Sequence, residues 1–167
     1  MSYTYKIATI NINGISSHVR IKMLEDYLRQ QDIDIVLLQE VTQTKITTFR
    51  RYNAHVNVGT ENRGTAILAK EGLPLTDITH LPSGRGMAVC YEGIRIINIY
   101  APSGAEKRRE REAFYNTEVP TLLPPTPAEI LLAGDFNCVP SQADSTGHGK
   151  YSKTLEKLLR GFNLHDA

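Results

Sequence analysis

Apolar Ile7, Ala8, Ile10 and Ile12, interrupted by polar Thr9 and Asn11, predict a strand that stops at the turn-forming pair Asn13-Gly14. Ser16 and Ser17 offer N-caps to a helix whose apolar stripe reads Val19, Met23, Leu24, Tyr27 and Leu28, with Arg20, Lys22, Glu25, Asp26 and Arg29 toward water. From Ile33 to Leu38 the chain is apolar except for Asp34, as expected of a buried strand, and it delivers Gln39-Glu40 at its end. The opening unit is therefore strand, helix, strand.

Beyond residue 54 the period shortens to strands separated by Gly and Pro, at Ala54 to Val58, Gly64 to Ala69, Gly86 to Tyr91 and Ile94 to Tyr100. A loop carrying Pro74, Pro82, Gly84 and Arg85 joins the second to the third, and Glu92-Gly93 predicts a tight antiparallel hairpin between the last two. Ala105 to Glu118 reads as a charged surface helix stopped by Pro120, with Lys107, Arg108, Arg109 and Arg111 alternating with Glu106, Glu110 and Glu112 as a solvated ion-pair face. After the stiff Pro124, Pro125, Pro127 connector come an apolar strand, Ile130 to Ala133, and a final helix striped by Tyr151, Leu155, Leu158, Leu159 and Phe162 and ended by Gly161. This order predicts an α/β sandwich, two sheets face to face with helices outside.

Composition narrows the picture. The 167 residues suit one domain, and 19 Lys plus Arg against 18 Asp plus Glu leave a net charge of +1. Neither a polybasic tail nor an acidic disordered segment is the main mode of action, so any nucleic-acid contact comes from a local patch. Cys90 and Cys138 lie in apolar stretches without zinc-type spacing and read as buried free thiols. No segment approaches the roughly 20 apolar residues of a membrane span, and the first residues lead into a strand rather than a signal peptide. The expectation is a reduced, soluble, intracellular chain with no membrane partner.

Candidate chemistry sits where strands stop. Asn11-Ile12-Asn13-Gly14, Gln39-Glu40, Asn98-Ile99-Tyr100-Ala101-Pro102 and Gly134-Asp135-Phe136-Asn137 each follow or end an apolar strand. Singly, each is an ordinary turn or strand end; together they can converge on one rim of a sheet. Among Glu40, Asp135, Asn11, Asn13, Asn137 and Tyr100, a carboxylate with amide oxygens suits Mg²⁺, which favours hard oxygen ligands and keeps several waters. A second carboxylate near the metal can take a proton from an attacking water, while Asn N–H and Tyr O–H donors stabilise phosphoryl charge. Metal-assisted phosphodiester hydrolysis is the reaction class that fits.

With Gly64-Thr65-Ala66-Ile67-Leu68, these segments resemble the endonuclease/exonuclease/phosphatase superfamily, and within it the apurinic-endonuclease-like nuclease domain of non-LTR (LINE-type) retrotransposons. The resemblance implies a four-layer α/β/β/α sandwich of the DNase I-like kind. It implies Glu40 as the Mg²⁺ ligand (Mn²⁺ being an alternative ion), and Asn11 as a supporting amide. Asp135 would act on the water, Asn137 would hold the water or a phosphate oxygen, and Tyr100 would donate to the scissile phosphate. Asn13 stands where apurinic endonucleases carry an Asp, which favours the retrotransposon branch over abasic-site repair. The implied partners are double-stranded DNA and a reverse transcriptase domain in the same parent polyprotein, and the implied site of action is the nucleus.

The same family ends in further strands with a supporting Asp and a Ser-Asp-His segment. This chain stops at Gly161-Phe162-Asn163-Leu164-His165-Asp166-Ala167, so the resemblance implies a C-terminally truncated fold with an exposed sheet edge, nearly inactive on its own. His165 does not stand in for the family's His. Arg63, Arg85, His148 and Lys150 are the loop bases expected to meet DNA phosphates. Two other readings are a catalytically dead module that binds DNA or protein, and another metal-dependent phosphodiesterase of the superfamily. The loop bases and the pair Asn11 and Asn13 favour DNA.

Overall fold

Two four-stranded sheets stack face to face in the computed structural model, which describes residues 4–42, 49–61, 63–126, 128–145 and 150–166. The first has the order β1-β2-β4-β3, from β1 (Ile7–Asn11), β2 (Ile35–Val41), β3 (Tyr52–Val58) and β4 (Gly64–Lys70). The second has the order β5-β6-β7-β8, from β5 (Thr76–His80), β6 (Gly86–Tyr91), β7 (Ile94–Tyr100) and β8 (Glu129–Asp135). β1 runs parallel to β2 and β7 parallel to β8, while the remaining pairs are antiparallel. Helix α1 (His18–Gln30) covers the first sheet; α2 (Arg108–Ala113) and α3 (Lys153–Gly161) belong to the cover of the second.

Residue alternation explains the layering. Val36 and Leu38 of β2 pack outward with Leu28, while Ile35 and Leu37 point between the sheets against Met87, Val89 and Ile96. On β7, Ile97 and Ile99 face the outer layer with Phe114, Leu122 and Leu155. Strands buried on both faces read as continuous apolar runs, which is why β2, β4 and β7 are plain in the sequence. The arrangement is the DNase I-like α/β/β/α sandwich expected.

Two polar residues break the inter-sheet core. Gln39 and Asn98 are fully buried. Gln39 Nε2 donates to Asn98 Oδ1 at 2.8 Å and to Thr9 Oγ1 at 2.9 Å, and Asn98 Nδ2 donates to the carbonyls of Leu38 and Ala66 at 2.9 and 3.0 Å. Asn57 Nδ2 makes a second crossing, to the carbonyls of Leu81 and Gly86.

Several elements differ from the sequence pattern. On α1, Val19 and Met23 are 68% and 66% exposed and Tyr27 is exposed too, because Ile21, Leu24 and Leu28 form the stripe that meets the sheet. Ser17 occupies the N-cap position without a side-chain cap bond. β5 lies in what reads as a loop, since Thr76, Asp77, Thr79 and His80 give no apolar alternation. Buried Arg95 holds it through the Asp77 carbonyl and Thr79 Oγ1. The charged helix is only six residues long and continues as a π-helical turn (Phe114–Glu118) and a 3₁₀ turn (Val119–Leu122), with Pro120 inside the latter. Arg111 leaves the expected ion-pair face altogether, buried with Nη1 on the carbonyls of Pro102 and Gly104.

The predicted hairpin at Glu92-Gly93 is present, both residues having positive φ. Cys90 and Cys138 are free thiols but only half-buried. Phe162 is exposed past the end of α3, and Tyr151 pairs with Val139 before the helix begins.

Replacing Asn98 with Leu removes the acceptor for Gln39 and the donor to two buried carbonyls. It should lower unfolding free energy by about 1–3 kcal/mol, read as a lower urea midpoint at unchanged slope; an unmoved midpoint would contradict the strut. Burial, and secondarily the charge of His80, holds the His55 pKa below its ordinary 6.5. The unfolded chain takes up that proton more readily, so this contribution to stability falls as pH drops below about 6.5 toward the depressed value. His55→Gln should therefore flatten the acid side of a pH–stability profile.

Candidate active site

Glu40 reaches the site through a defect in its strand. Pairing of β2 with β4 slips between Gln39 and Val41, and Glu40 sits in that bulge at φ 56°. A non-glycine residue in this left-handed region carries strain, and bulges of this kind re-aim a side chain. The carboxylate turns to the rim, where Glu40 Oε1 accepts from Asn11 Nδ2 at 3.1 Å. The same Asn11 nitrogen donates to Asp135 Oδ2 at 3.0 Å, so one amide ties the ends of β1, β2 and β8. Asn11 Oδ1 is turned away, accepting from the Asn13 backbone N–H at 2.9 Å.

Asp135 is placed by the glycine before it. Gly134 lies opposite Ile99 in the β7–β8 ladder at φ 134°, and a Cβ there would stand 2.0 Å from the Ile99 carbonyl oxygen. That close approach brings Asp135 beside Tyr100. Asp135 Oδ1 accepts from the backbone N–H of Asn137 at 3.1 Å, and Asn137 Nδ2 donates to the Ala101 carbonyl at 2.7 Å. Asn137, itself at φ 49°, therefore positions Asp135 and the end of β7; its amide nitrogen is already engaged.

Tyr100 lies between two guanidinium groups. Arg63 Nη1 donates to its hydroxyl at 3.4 Å and meets Glu40 Oε2 at 3.4 Å. The Tyr100 hydrogen bond first, and the Glu40 charge in addition, hold the Arg63 pKa above its ordinary value. Arg85 stacks over the Tyr100 ring, 5.1 Å from its centroid. Arg85 does not face DNA as expected of a loop base. It is buried, with Nη2 3.0 Å from Glu61 Oε2 and Nη1 on the Tyr100 carbonyl, because an inward guanidinium needs these partners.

A cleft of about 620 Å³ opens beside these groups, lined by Thr9, Asn11, Asp135, Asn137, Cys138 and Lys150 among others. Lys150 is exposed at its edge, and its carbonyl accepts from Val139. His148 lies outside the described residues. Burial raises the Cys138 thiol pKa, which keeps it protonated and unreactive at the cleft wall. A larger groove of about 1240 Å³ runs along α1 past Lys22, Arg29 and Arg50, away from both carboxylates.

Residues 8–163 match the profile of the endonuclease/exonuclease/phosphatase family. The chain belongs to that family. An AP endonuclease from Archaeoglobus fulgidus superposes with a TM-score of 0.73 at 20% identity, covering 96% of this chain and 70% of that one. The 3′ phosphatase NExo from Neisseria, bound to product DNA hairpin, gives 0.70 at 20% identity over 94% and 71%. Truncated Caenorhabditis elegans TDP2 gives 0.60 at 19% over 86% and 66%. Family membership makes this a hydrolytic nuclease or phosphodiesterase fold, of a family generally dependent on a divalent metal.

The donor set fits such an ion. Two carboxylates drawn to one amide, beside an open cleft, supply the one or two hard oxygen ligands that Mg²⁺ takes while keeping its waters. In this arrangement Asn11 turns its nitrogen to Glu40 and its oxygen to the Asn13 backbone N–H. Among the described residues there is no cluster of three or more His, Cys, Asp or Glu side chains.

The sequence places Gln39 and Asn98 in strand-end clusters and Arg85 among the DNA-facing bases, but not Gln39 against Asn98 or Arg85 against Tyr100 and Glu61. The signal for the first pair is alternation: Gln39 follows Leu37, and Asn98 precedes Tyr100, at inward-facing positions where a polar side chain needs a buried partner. Gly134→Ala should destabilise the fold by more than about 2 kcal/mol, since the clash is with backbone that cannot yield; a melting temperature equal to that of the parent would contradict the close approach.

Proposed function

We propose that the chain is a Mg²⁺-dependent DNA endonuclease of the non-LTR retrotransposon type, nicking one strand to leave a 3′-hydroxyl that primes reverse transcription. The observation that carries this reading is the Asn11 amide joining Glu40 to Asp135 beside the Tyr100 end of β7. It aligns a hard-ligand carboxylate, a proton acceptor and a phosphate donor on one rim. Glu40 would hold the divalent ion, which when bound supplies charge neutralisation at the phosphoryl group.

Asp135, fixed by the Asn137 N–H and Asn11 Nδ2, accepts a proton from the attacking water. The water oxygen forms the new bond to phosphorus, and the bond from phosphorus to O3′ breaks. O3′ takes a proton and leaves as the hydroxyl, while the phosphate stays on the 5′ side. The Tyr100 hydroxyl donates to a phosphate oxygen. Arg63 and Lys150 flank this point as phosphate-facing bases, which supports DNA over small phosphoesters. Double-stranded DNA is thus the proposed substrate, with a reverse transcriptase domain of the same polyprotein as partner and the nucleus as site of action.

A chain continued through a Ser-Asp-His segment, incubated with supercoiled plasmid and Mg²⁺, should give nicked circles that EDTA prevents, and the following variants are made in that form. Glu40→Gln and Asp135→Asn should each slow nicking by at least about 10²-fold with the fold intact; full activity in either would overturn the assignment. A chain continued through a Ser-Asp-His segment should nick at least about 10²-fold faster than residues 1–167, a gain on the scale of one transition-state donor. Equal rates would remove the proposal that activity needs residues beyond this stretch.

A further inference from the structure

Arg63 stands closer to the chemistry than a rim base needs to. A single nitrogen, Nη1, meets both Glu40 Oε2 and the Tyr100 hydroxyl, each at 3.4 Å. Both contacts are longer than a relaxed N–H···O bond, and the side chain is 53% exposed, so the pair is weakly held and its remaining donors can face solvent. The other oxygen of Glu40 is engaged by Asn11. Arg63 thus occupies the cationic position on the free oxygen of the carboxylate assigned above to the metal, within one hydrogen bond of the group assigned to the phosphate.

Resting on that reading, we propose that Arg63 is an exchangeable counter-ion. It neutralises Glu40 in the empty site and moves to a non-bridging phosphate oxygen when a divalent cation takes Glu40. Two cations on one carboxylate oxygen repel, so the guanidinium is displaced as the ion enters. The anion then within its reach is the phosphate beside Tyr100, and guanidinium geometry suits phosphate oxygens. Cation and phosphate consequently bind with positive coupling, and by linkage each strengthens the other equally. The exchange also ties Tyr100 to substrate arrival, since its hydroxyl loses the Arg63 donor when the guanidinium moves.

The test is Mn²⁺ binding followed by electron paramagnetic resonance, on residues 1–167 and the variants Arg63→Gln and Arg63→Lys, with and without inorganic phosphate. Without phosphate, Arg63→Gln should bind Mn²⁺ about two- to fivefold more tightly, the scale of an exposed ion pair removed from competition, while Arg63→Lys stays near the parent. Phosphate should tighten Mn²⁺ less in Arg63→Gln than in the parent. On a short DNA duplex, Arg63→Gln should lower the salt dependence of binding by about one charge. Unchanged or weaker Mn²⁺ affinity in Arg63→Gln would overturn the exchange alone. Failure of both the parent and Arg63→Gln to bind Mn²⁺ would overturn the metal reading itself, and the exchange with it.

Discussion

The amide pair between Gln39 and Asn98 sets the register of the whole molecule. It crosses the gap between two sheets whose interface is mainly non-directional apolar contact, which fixes separation but not sliding, and the Asn57 bonds to Leu81 and Gly86 add a second crossing. A buried amide left without its partner costs more than a made bond gains, so any slip between the sheets is penalised at this point. Glu40 follows Gln39 directly and Tyr100 lies two residues beyond Asn98. The distance between the carboxylate rim and the phenol is thereby inherited from a strut inside the core. Asn98 extends the constraint by reaching the carbonyls of both β2 and β4.

Beside that strut, three site residues hold the left-handed backbone region that disfavours non-glycine residues. Asn13, Glu40 and Asn137 all hold positive φ, and each is over-determined by hydrogen bonds. The Glu40 carbonyl accepts from Gly14, the Asn13 N–H is held by Asn11, and the Asn137 N–H by Asp135. The first sheet supplies Asn11 and Glu40 and the second supplies Tyr100 and Asp135. Because β1 is parallel to β2 and β7 to β8, the ends of each pair emerge on the same side. The topology, rather than any single loop, is what makes four distant segments neighbours.

How much of this the sequence discloses depends on what kind of contact places each residue. Strands buried on both faces and the hairpin at Glu92-Gly93 are legible because burial and left-handed turns leave strong local marks. The polar residues at strand ends are legible for the same reason, as interruptions of apolar runs. Placement by a distant partner leaves no such mark. β5 depends on Arg95, and Arg85 is inward because Glu61 and the Tyr100 ring receive it. On α1 two apolar stripes compete, Val19-Met23-Tyr27 and Ile21-Leu24-Leu28, and only packing selects the second.

The single nitrogen of Asn11 that joins Glu40 to Asp135 closes contacts over 29 and 124 residues of chain. The first can form within the opening strand-helix-strand unit; the second requires β8, which is made late and docks beside β7. Loop closure over such a span is slow compared with local structure. During synthesis, therefore, the emerging chain carries Glu40 and Asn11 with no Asp135 opposite them until residue 135 has left the ribosome and the second sheet has assembled. The joined pair of carboxylates is a property of the finished topology, absent from any copy whose second sheet has not assembled.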